Sequence, residues 1–455
     1  MGLTDAMRGW VWNFLMPGEQ IDQAQTERLK RYAQYKDYYE GRHKRQLKHK
    51  INQADDNLVE NYASLIIERS LSMLLGDGIQ FELSTDAEQA FIDEVMKANR
   101  SSIKLHDAAQ NGAIYGTGYF KILLDKAESK DQENVMLPRL VVLDPRWMRI
   151  LTPAEDIDQV SGYEMRFNIG DTARKEITSV FATDELGRTL SWSVANYVAN
   201  RDTGGRWAPM GEPVVWEYEF PPIVHWKNLP KANDCYGKPD LEDVIELQDR
   251  VNFVSSNISK IIRYHGHPKT WGRGAGLGTN TSWGADEIVM LPGENGTLQN
   301  LEMQSDLASS REFRNDLKAA LFDISRTVDL SSMKDKVGQL TNFGLKVLYN
   351  DALDKLSTKQ NLFGEALLET VHRLLVIGGR PGDPGQIKWS DSLPYNQTEQ
   401  DDQDGFDLDR ALASKETISV RRGYDYEQEQ ERIDQEKQAE DNIGSALLKA
   451  FGRGE

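Results

Sequence analysis

The sequence predicts a mostly helical α+β fold, with helices at both ends of the chain and an antiparallel sheet between them. Three observations predict this class. Apolar residues recur at helical spacing over 57–75, 86–99 and 101–115. Between 118 and 226 apolar residues alternate as they do in strands, and helical spacing returns after residue 240. With 455 residues, the chain has room for roughly two to four domains.

The charge and the cysteine content exclude several classes of protein. The chain has 54 Lys and Arg against 72 Asp and Glu, a formal charge of −18. This excludes tight binding of nucleic acid by bulk positive charge, but it allows a protein that touches DNA and lets it slide. Cys235 is the only cysteine, so no internal disulfide forms and a reducing compartment is expected. No apolar run reaches the ~20 residues that span a bilayer, and no membrane partner is expected.

The N-terminal part is predicted to hold an aromatic arm followed by helices. Residues 1–20 are expected to pack against the parent fold or a neighbouring subunit rather than on a membrane surface. Residues 22–48 are predicted to form a polar helix that ends in a basic cluster. A buried helix is predicted over 57–75, and Gly76 and Gly78 end it in the manner of helix C-caps. The next two helices are predicted at 86–99 and 101–115.

The middle of the chain is predicted to form one antiparallel meander. Tryptophans in this region suit a half-buried sheet, and turn residues separate the segments. The predicted strands are 118–125, 139–144, 160–168, 189–198 and 213–226.

Two amphipathic helices of similar length are predicted next, over 240–263 and 305–328. The first has one narrow stripe, formed by Leu241, Val244, Gln248, Val251, Val254 or Ser255, Ile258 and Ile261. The second has a face with Phe313, Leu317, Ala320, Leu321, Ile324 and Val328. A narrow stripe is typical of a helix that packs beside other helices. We expect the pair to run antiparallel, with a glycine-rich insertion at its tip that contains one short strand, 287–291.

The C-terminal part is predicted to contain a loop and a very long helix. Residues 329–341 are polar and loop-like, and helical spacing then runs over 342–376 with bends at Gly344 and Gly364. Residues 396–410 are acidic and are expected to be mobile. The last predicted helix covers 407–452, with a strongly charged middle.

Motifs for catalysis, cofactors and metals are absent from the sequence. Gly237 and Lys238 are followed by Pro239 and lack the upstream glycine of a phosphate-binding loop. His265 and His267 are two residues apart with no cysteine nearby, so they do not predict a zinc site. We therefore expect no catalytic residue, no metal and no cofactor. The residues alone leave two alternatives open: a DNA-processing, metal-dependent nuclease whose carboxylates bind Mg²⁺, and a non-viral ring-forming scaffold.

Several stretches, in this order, resemble one known family. They are 38–43 (YYEGRH), 61–78 (NYASLIIERSLSMLLGDG), 111–119 (NGAIYGTGY), 222–226 (PIVHW), 236–244 (YGKPDLEDV) and 414–417 (SKET). The chain resembles the portal proteins of tailed bacteriophages, in particular the family typical of siphophages that infect Gram-positive hosts. The resemblance implies a non-enzymatic ring at one capsid vertex of the virion, through which double-stranded DNA is packaged, retained and ejected.

The resemblance also divides the chain into segments. It implies a wing (1–235), a first stem helix (236–264), a clip (265–304), a second stem helix (305–328), a tunnel loop (329–341), a long bridging helix (342–395) and a crown (396–455).

Partners and site residues follow from the same resemblance. The family forms twelve-fold rings and works with the large terminase subunit, a head–tail connector protein, and the major capsid and scaffolding proteins. The DNA-facing loop residues are expected to be Ser331, Lys334, Lys336 and Gln339, and the clip residues that contact partners to be Lys269, Trp271 and Arg273. Lysines on an otherwise acidic ring would give weak, exchangeable contacts with phosphates. The alternatives are that Lys334 and Lys336 point into solvent and that the clip residues only pack the insertion.

Overall fold

The computed structural model describes most of the chain, in two compact units. The described residues are 22–48, 55–76, 78–124, 137–153, 155–185, 187–200, 203, 205–266, 270–273, 289–291, 297–300, 307–329, 342–380, 382–390, 397–435 and 437. The first unit is Met1–Met333 with Tyr349–Ser392, and the second is Lys334–Leu348 with Leu393–Glu455. In the described part, no helix is both long and apolar enough to cross a bilayer.

The helices of the described residues confirm the mostly helical class. They are α1 (Gln23–Tyr39), α2 (Tyr62–Leu75), α3 (Asp86–Ala98), α4 (Ser101–Tyr115), α5 (Ile245–Gly266), α6 (Ala308–Ser325), α7 (Asn342–Leu348), α8 (Asn350–Ile377), α9 (Gln397–Asp409) and α10 (Lys415–Arg421). The predictions for α3 and α4 are confirmed to within a residue. Thr85 fixes the start of α3, because its hydroxyl accepts from Glu88 N at 3.3 Å and donates to the Glu88 carboxylate at 2.7 Å.

Two N-terminal helices are shorter than predicted. The helix predicted over 22–48 ends at Tyr39, and Gly41 follows with a φ of +77°, which lets the chain turn away. The basic cluster after it is therefore not helical. The helix predicted over 57–75 begins only at Tyr62, where Asn61 caps it by accepting from Ser64 N at 3.2 Å. Residues 55–61, which end with this cap, lie outside regular secondary structure.

The strands are β1 (Ile79–Glu82), β2 (Thr117–Leu123), β3 (Arg139–Val142), β4 (Met148–Leu151), β5 (Gly162–Ile169), β6 (Thr172–Thr183), β7 (Thr189–Ala199), β8 (Ala208–Pro209), β9 (Val214–Trp216), β10 (Ile223–Lys227), β11 (Thr270–Arg273), β12 (Val289–Leu291), β13 (Thr297–Asn300) and β14 (Gln386–Trp389). Antiparallel pairing joins them, except that β11 and β12 are parallel. Together with the helices they confirm the α+β class.

The single predicted meander is wrong, because the strands between 117 and 227 form two sheets. One has the order β10–β2–β3, and the other has the order β4–β5–β6–β7–β8 with β9 paired to β7. Strands β4, β6 and β8 were not predicted, and β9 and β10 were predicted as one strand. A further pair, β1 with β14, brings residue 79 opposite residue 389 and was not predicted.

The main core of the first unit packs α1, α2, α4 and α8 around the three-stranded sheet. Gly118 on β2 lets Trp226 of β10 lie directly above it, since a Cβ there would be 2.2 Å from the Trp226 ring. Trp226 in turn packs against Phe120 and Phe363, at ring-centroid distances of 4.9 and 5.2 Å. This core fixes the sheet against α8.

The very long helix predicted over 342–376 is interrupted at Tyr349. It forms α7, in the second unit, and α8, in the first. The break lies at neither Gly344 nor Gly364, where bends were predicted. Helix α8 continues through Gly364, and the missing side chain there leaves space for Trp389, whose ring would lie 3.4 Å from a Cβ.

In the second unit, most of the acidic stretch 396–410, which was expected to be mobile, is helical between residues 397 and 409. It forms α9, whose Asp404 is buried and accepts from Arg421 at 3.0 Å and from Arg422 at 2.6 Å. The helix predicted over 407–452 is divided, with α10 at 415–421 and a further helical segment at 426–435. Ion pairs therefore connect α9 to the end of α10.

Candidate channel-forming helices and their anchors

Helices α5 and α6 pack against each other in antiparallel orientation. Val244, directly before α5, and Val251, in its second turn, share an apolar cluster with Leu321, near the end of α6. Further along α5, Ser255 accepts a hydrogen bond from Arg314 at 2.9 Å. Later residues of α5 therefore contact earlier residues of α6. The two helices run antiparallel, as predicted. With 22 and 18 residues, the helices are about 33 and 27 Å long.

The insertion between the two helices contains a three-stranded sheet in the order β12–β11–β13. The prediction of one strand at 287–291 is correct only for β12, since β11 and β13 were missed. Trp271 lies on β11 opposite Val289 and Gln299, and Arg273 lies opposite Leu291 and Thr297. Two of the three predicted clip residues therefore occupy the central strand. Lys269 lies outside the described residues.

The apolar stripe predicted on α5 is in fact interrupted by buried polar side chains. Gln248, Asn252 and Ser256 have at most 1% of their surface exposed. Each one hydrogen-bonds to the backbone of the non-helical segment 55–61 or to Tyr62, which follows it. We call residues 55–61 the strap. Gln248 was predicted on the stripe, whereas Asn252 and Ser256 were not.

The strap is held by side chains at every fourth position of α5. Ser256 accepts from Leu58 N at 2.9 Å, and Asn252 accepts from Glu60 N at 3.0 Å. Gln248 accepts from Tyr62 N at 3.1 Å and donates to the Glu60 carbonyl at 2.6 Å. Four helical residues advance about 6 Å and two extended residues about 6.6 Å, so the two spacings match. The helix side chains thus pair with every second residue from Leu58 to Tyr62, as a neighbouring strand would.

His43 extends this network into the YYEGRH stretch. The imidazole stacks on Tyr38 at a centroid distance of 4.7 Å, and its Nδ1 lies 2.8 Å from the Asn252 amide nitrogen. Because the Asn252 oxygen already accepts from Glu60 N, its nitrogen must donate to Nδ1 of His43. Nε2 of His43 then carries the hydrogen and donates to the Tyr38 carbonyl at 2.9 Å. This motif therefore anchors α1 to α5.

Glu60 connects the strap to both helices of the pair. Its carboxylate accepts from Ser255 at 2.5 Å and from Tyr62 at 2.7 Å, and it forms an ion pair with Arg314 of α6. Burial alone would raise the pKa of Glu60, but the hydrogen bonds from Arg314, Ser255 and Tyr62 outweigh it and hold this pKa below its ordinary value. Glu60 is therefore ionised at neutral pH.

A second anchor lies just before α5, at the fully buried Asp240. Lys355 and Lys359 of α8 approach its carboxylate at 3.2 and 2.6 Å. Lys355 also donates to the carbonyl of Ser325, the last residue of α6, at 3.0 Å. Burial raises the pKa of Asp240, but the two ammonium groups hold it well below its usual range. The cluster therefore ties the start of α5 and the end of α6 to α8.

The predicted loop residues Ser331, Lys334, Lys336 and Gln339 all lie outside the described residues. Their roles therefore stay predictions. Among the described side chains, no group of three or more His, Cys, Asp or Glu could hold a metal ion. The anchoring residues that the sequence did not predict are Asn252, Ser256 and the Asp240 cluster. Asp240 does lie within the quoted stretch 236–244, but nothing in that stretch indicates its partners.

The family described as phage portal protein, SPP1 Gp6-like, matches residues 19–442, which is nearly the whole chain. The chain belongs to this family of phage portal proteins. No curated protein matches it.

Family membership establishes the general function. The protein is a phage portal protein, a structural protein of the capsid that serves in viral DNA packaging. The family is a structural one and not a family of enzymes. Membership of a phage portal family contradicts the non-viral scaffold, and it gives no support to the nuclease.

Proposed function

We propose that twelve copies of this chain form a ring at one capsid vertex, and that double-stranded DNA moves along the ring axis during packaging, retention and ejection. The observation that carries the proposal is the antiparallel pair α5–α6. In the single chain this pair leaves large apolar side chains exposed: Ile262 by 48%, Phe313 by 45% and Ile324 by 51%. Exposed apolar groups on neighbouring helices favour packing against further copies of the same helices.

The remaining segments take their proposed roles from the family. Residues 1–235 form the wing, 236–264 and 305–328 the stem, 265–304 the clip, 329–341 the tunnel loop, 342–395 the bridging helix and 396–455 the crown. The clip binds the large terminase subunit during packaging and a head–tail connector protein afterwards, through Lys269, Trp271 and Arg273. Major capsid and scaffolding proteins are the other proposed partners. The chain itself performs no catalysis, so the partner motor hydrolyses ATP.

The tunnel loop is proposed to contact the passing DNA through Ser331, Lys334, Lys336 and Gln339. The net charge of −18 per chain works against tight binding of phosphates along the channel. One exposed lysine–phosphate contact in water contributes only about 1 kcal/mol. Contacts of this strength hold DNA briefly and release it, which suits a channel through which DNA must slide.

A charge-reversal experiment tests the loop assignment. In Lys334→Glu with Lys336→Glu, we expect ring assembly to persist and DNA packaging or retention to fall, because the phosphate contacts become repulsive. The control, Lys97→Glu with Lys388→Glu, makes the same charge change on two exposed lysines of α3 and β14 and should package normally. Normal packaging by the loop variant would remove the proposed role of the loop.

A further inference from the structure

Strand β1 has one edge that no described strand covers. Among the described strands, β1 pairs only with β14. The Glu82 carbonyl points towards β14, since a Cβ on Gly385, the residue before β14, would collide with it. Backbone groups alternate in direction along a strand, so the N–H and C=O groups of Ile79 and Phe81 point to the opposite edge. These groups have no hydrogen-bond partner among the described residues.

Other sheet edges in the same unit are closed by side chains. At the outer edge of β3, Asn99 accepts from Leu140 N at 2.8 Å, and Lys104 donates to the Leu140 carbonyl. At the outer edge of β4, the hydroxyl of Tyr236 accepts from Ile150 N at 3.1 Å. Native sheets protect their edges in such ways because an open edge is a template for pairing with another chain. The edge of β1 is therefore open in a protein that closes others.

A groove lies between this open edge and α3. Gln89 of α3 accepts from Leu83 N, just beyond β1, at 3.0 Å, and this bond closes the groove at one end. One wall is the whole of β1, and the other is a single face of α3 with Gln89, Asp93, Met96 and Lys97. The groove has a volume of about 530 Å³, within the roughly 300–1,000 Å³ of pockets that bind ligands. An open edge flanked by a helix can take up one further strand.

The charges of the groove favour a basic occupant. Its described lining has two exposed carboxylates, Glu82 and Asp93, against the one ammonium of Lys97. Lys388 is 3.9 Å from Glu82 and its side chain is 63% exposed, so this ion pair neutralises little. A second copy of the chain, with its formal charge of −18, is a poorer match for these carboxylates than a basic partner.

We propose that an extended, basic peptide segment of a partner protein binds in this groove by adding a strand to β1. Its backbone hydrogen-bonds to Ile79 and Phe81, and one of its basic side chains pairs with Asp93. Main-chain hydrogen bonds give such a complex its affinity, and the side-chain contacts give its specificity. The surface uses no residue of α5, α6 or the tunnel loop, so it is a function beyond the proposed channel.

Hydrogen exchange of the full-length assembled protein, followed by mass spectrometry with residue-level fragmentation, tests the surface. The probe is a designed peptide of about five alternating lysine and valine residues. At saturating peptide, we expect exchange at the amides of Ile79 and Phe81 to slow roughly tenfold or more, because these amides become hydrogen-bonded. Exchange at the amide of Glu82, which already faces β14, should stay unchanged.

Two controls separate strand addition from charge attraction alone. The same peptide methylated at every backbone nitrogen keeps its charge but cannot donate backbone hydrogen bonds, so it should give no protection. Asp93→Lys should weaken binding of the unmethylated peptide roughly tenfold or more, because an attractive contact becomes repulsive. Glu94→Lys is the matched control, since it makes the same charge change at the next residue of α3, which is exposed and outside the lining. It should bind the peptide as the wild type does.

The proposal is overturned if the peptide leaves exchange at Ile79 and Phe81 unchanged, or if the methylated peptide protects them equally. It is also overturned if Asp93→Lys binds as tightly as the wild type, or if Glu94→Lys loses binding to the same extent. Slow exchange at these amides in the assembled protein without peptide would show that another part of the assembly covers the edge, and it would contradict a partner peptide.

Discussion

Replacement of Asp240 by asparagine removes one charge from the anchor between the helix pair and α8, with almost no change in volume. The side chain of Asp240 is fully buried, and those of Lys355 and Lys359 are only 9% and 3% exposed. The variant leaves two ammonium groups inside the protein without a carboxylate. Removal of one partner from a buried ion pair costs about 3–5 kcal/mol. A domain is stable by only about 5–15 kcal/mol, so this loss is a large part of the total.

Equilibrium unfolding in urea, followed by tryptophan fluorescence, measures this loss. The control is Asp243→Asn, because Asp243 lies three residues away with a side chain that is 55% exposed and paired with Lys238. Exposed ion pairs contribute at most about 1 kcal/mol, so the control should unfold near the wild type. The triple variant that also carries Lys355→Met and Lys359→Met should recover most of the stability. A loss below about 1 kcal/mol in Asp240→Asn would refute the assignment of this cluster as an anchor.

Two further predictions concern the same anchors. The pKa of Lys359 is about 8 in the folded protein and about 10.4 unfolded, so the unfolded chain binds more protons between these values. The wild type should therefore gain free energy of unfolding over Lys359→Met as the pH rises from 8 to about 10.4. A difference between the two proteins that stays constant over this range would contradict the prediction. Asn252→Ala leaves Glu60 N and Nδ1 of His43 unpaired, which should cost about 2–4 kcal/mol. Hydrogen exchange should then be faster at the amide of Glu60, and unchanged protection there would count against the role of the strap.

Elements with strong local signals could be predicted from the sequence. Helix α3 has the Thr85 cap and an acidic first turn, and α4 is followed by Gly116 with a φ of +88°. Their limits follow from these local groups, so the predictions are accurate. Strand β6 was missed because its polar residues hide the alternation, and only its pairing with β5 and β7 defines it.

The anchors could not be predicted, because they depend on contacts that are distant in sequence. Asn252 is a poor candidate for burial by residue type, and the backbone that satisfies it is 192 residues away, at Glu60. Lys359 is likewise a typical surface residue, and its partner Asp240 is 119 residues away. Periodicity identifies an apolar stripe, but it cannot identify a polar side chain whose partner is a distant backbone or carboxylate.

The mass and shape of the purified protein test the proposed assembly most directly. Native mass spectrometry and top views by negative-stain electron microscopy should show rings with a central hole and a mass of about 620 kDa, twelve copies of 51.6 kDa. A particle of a single chain, or a closed assembly in which no axis is open, would contradict the proposal that α5 and α6 surround a channel.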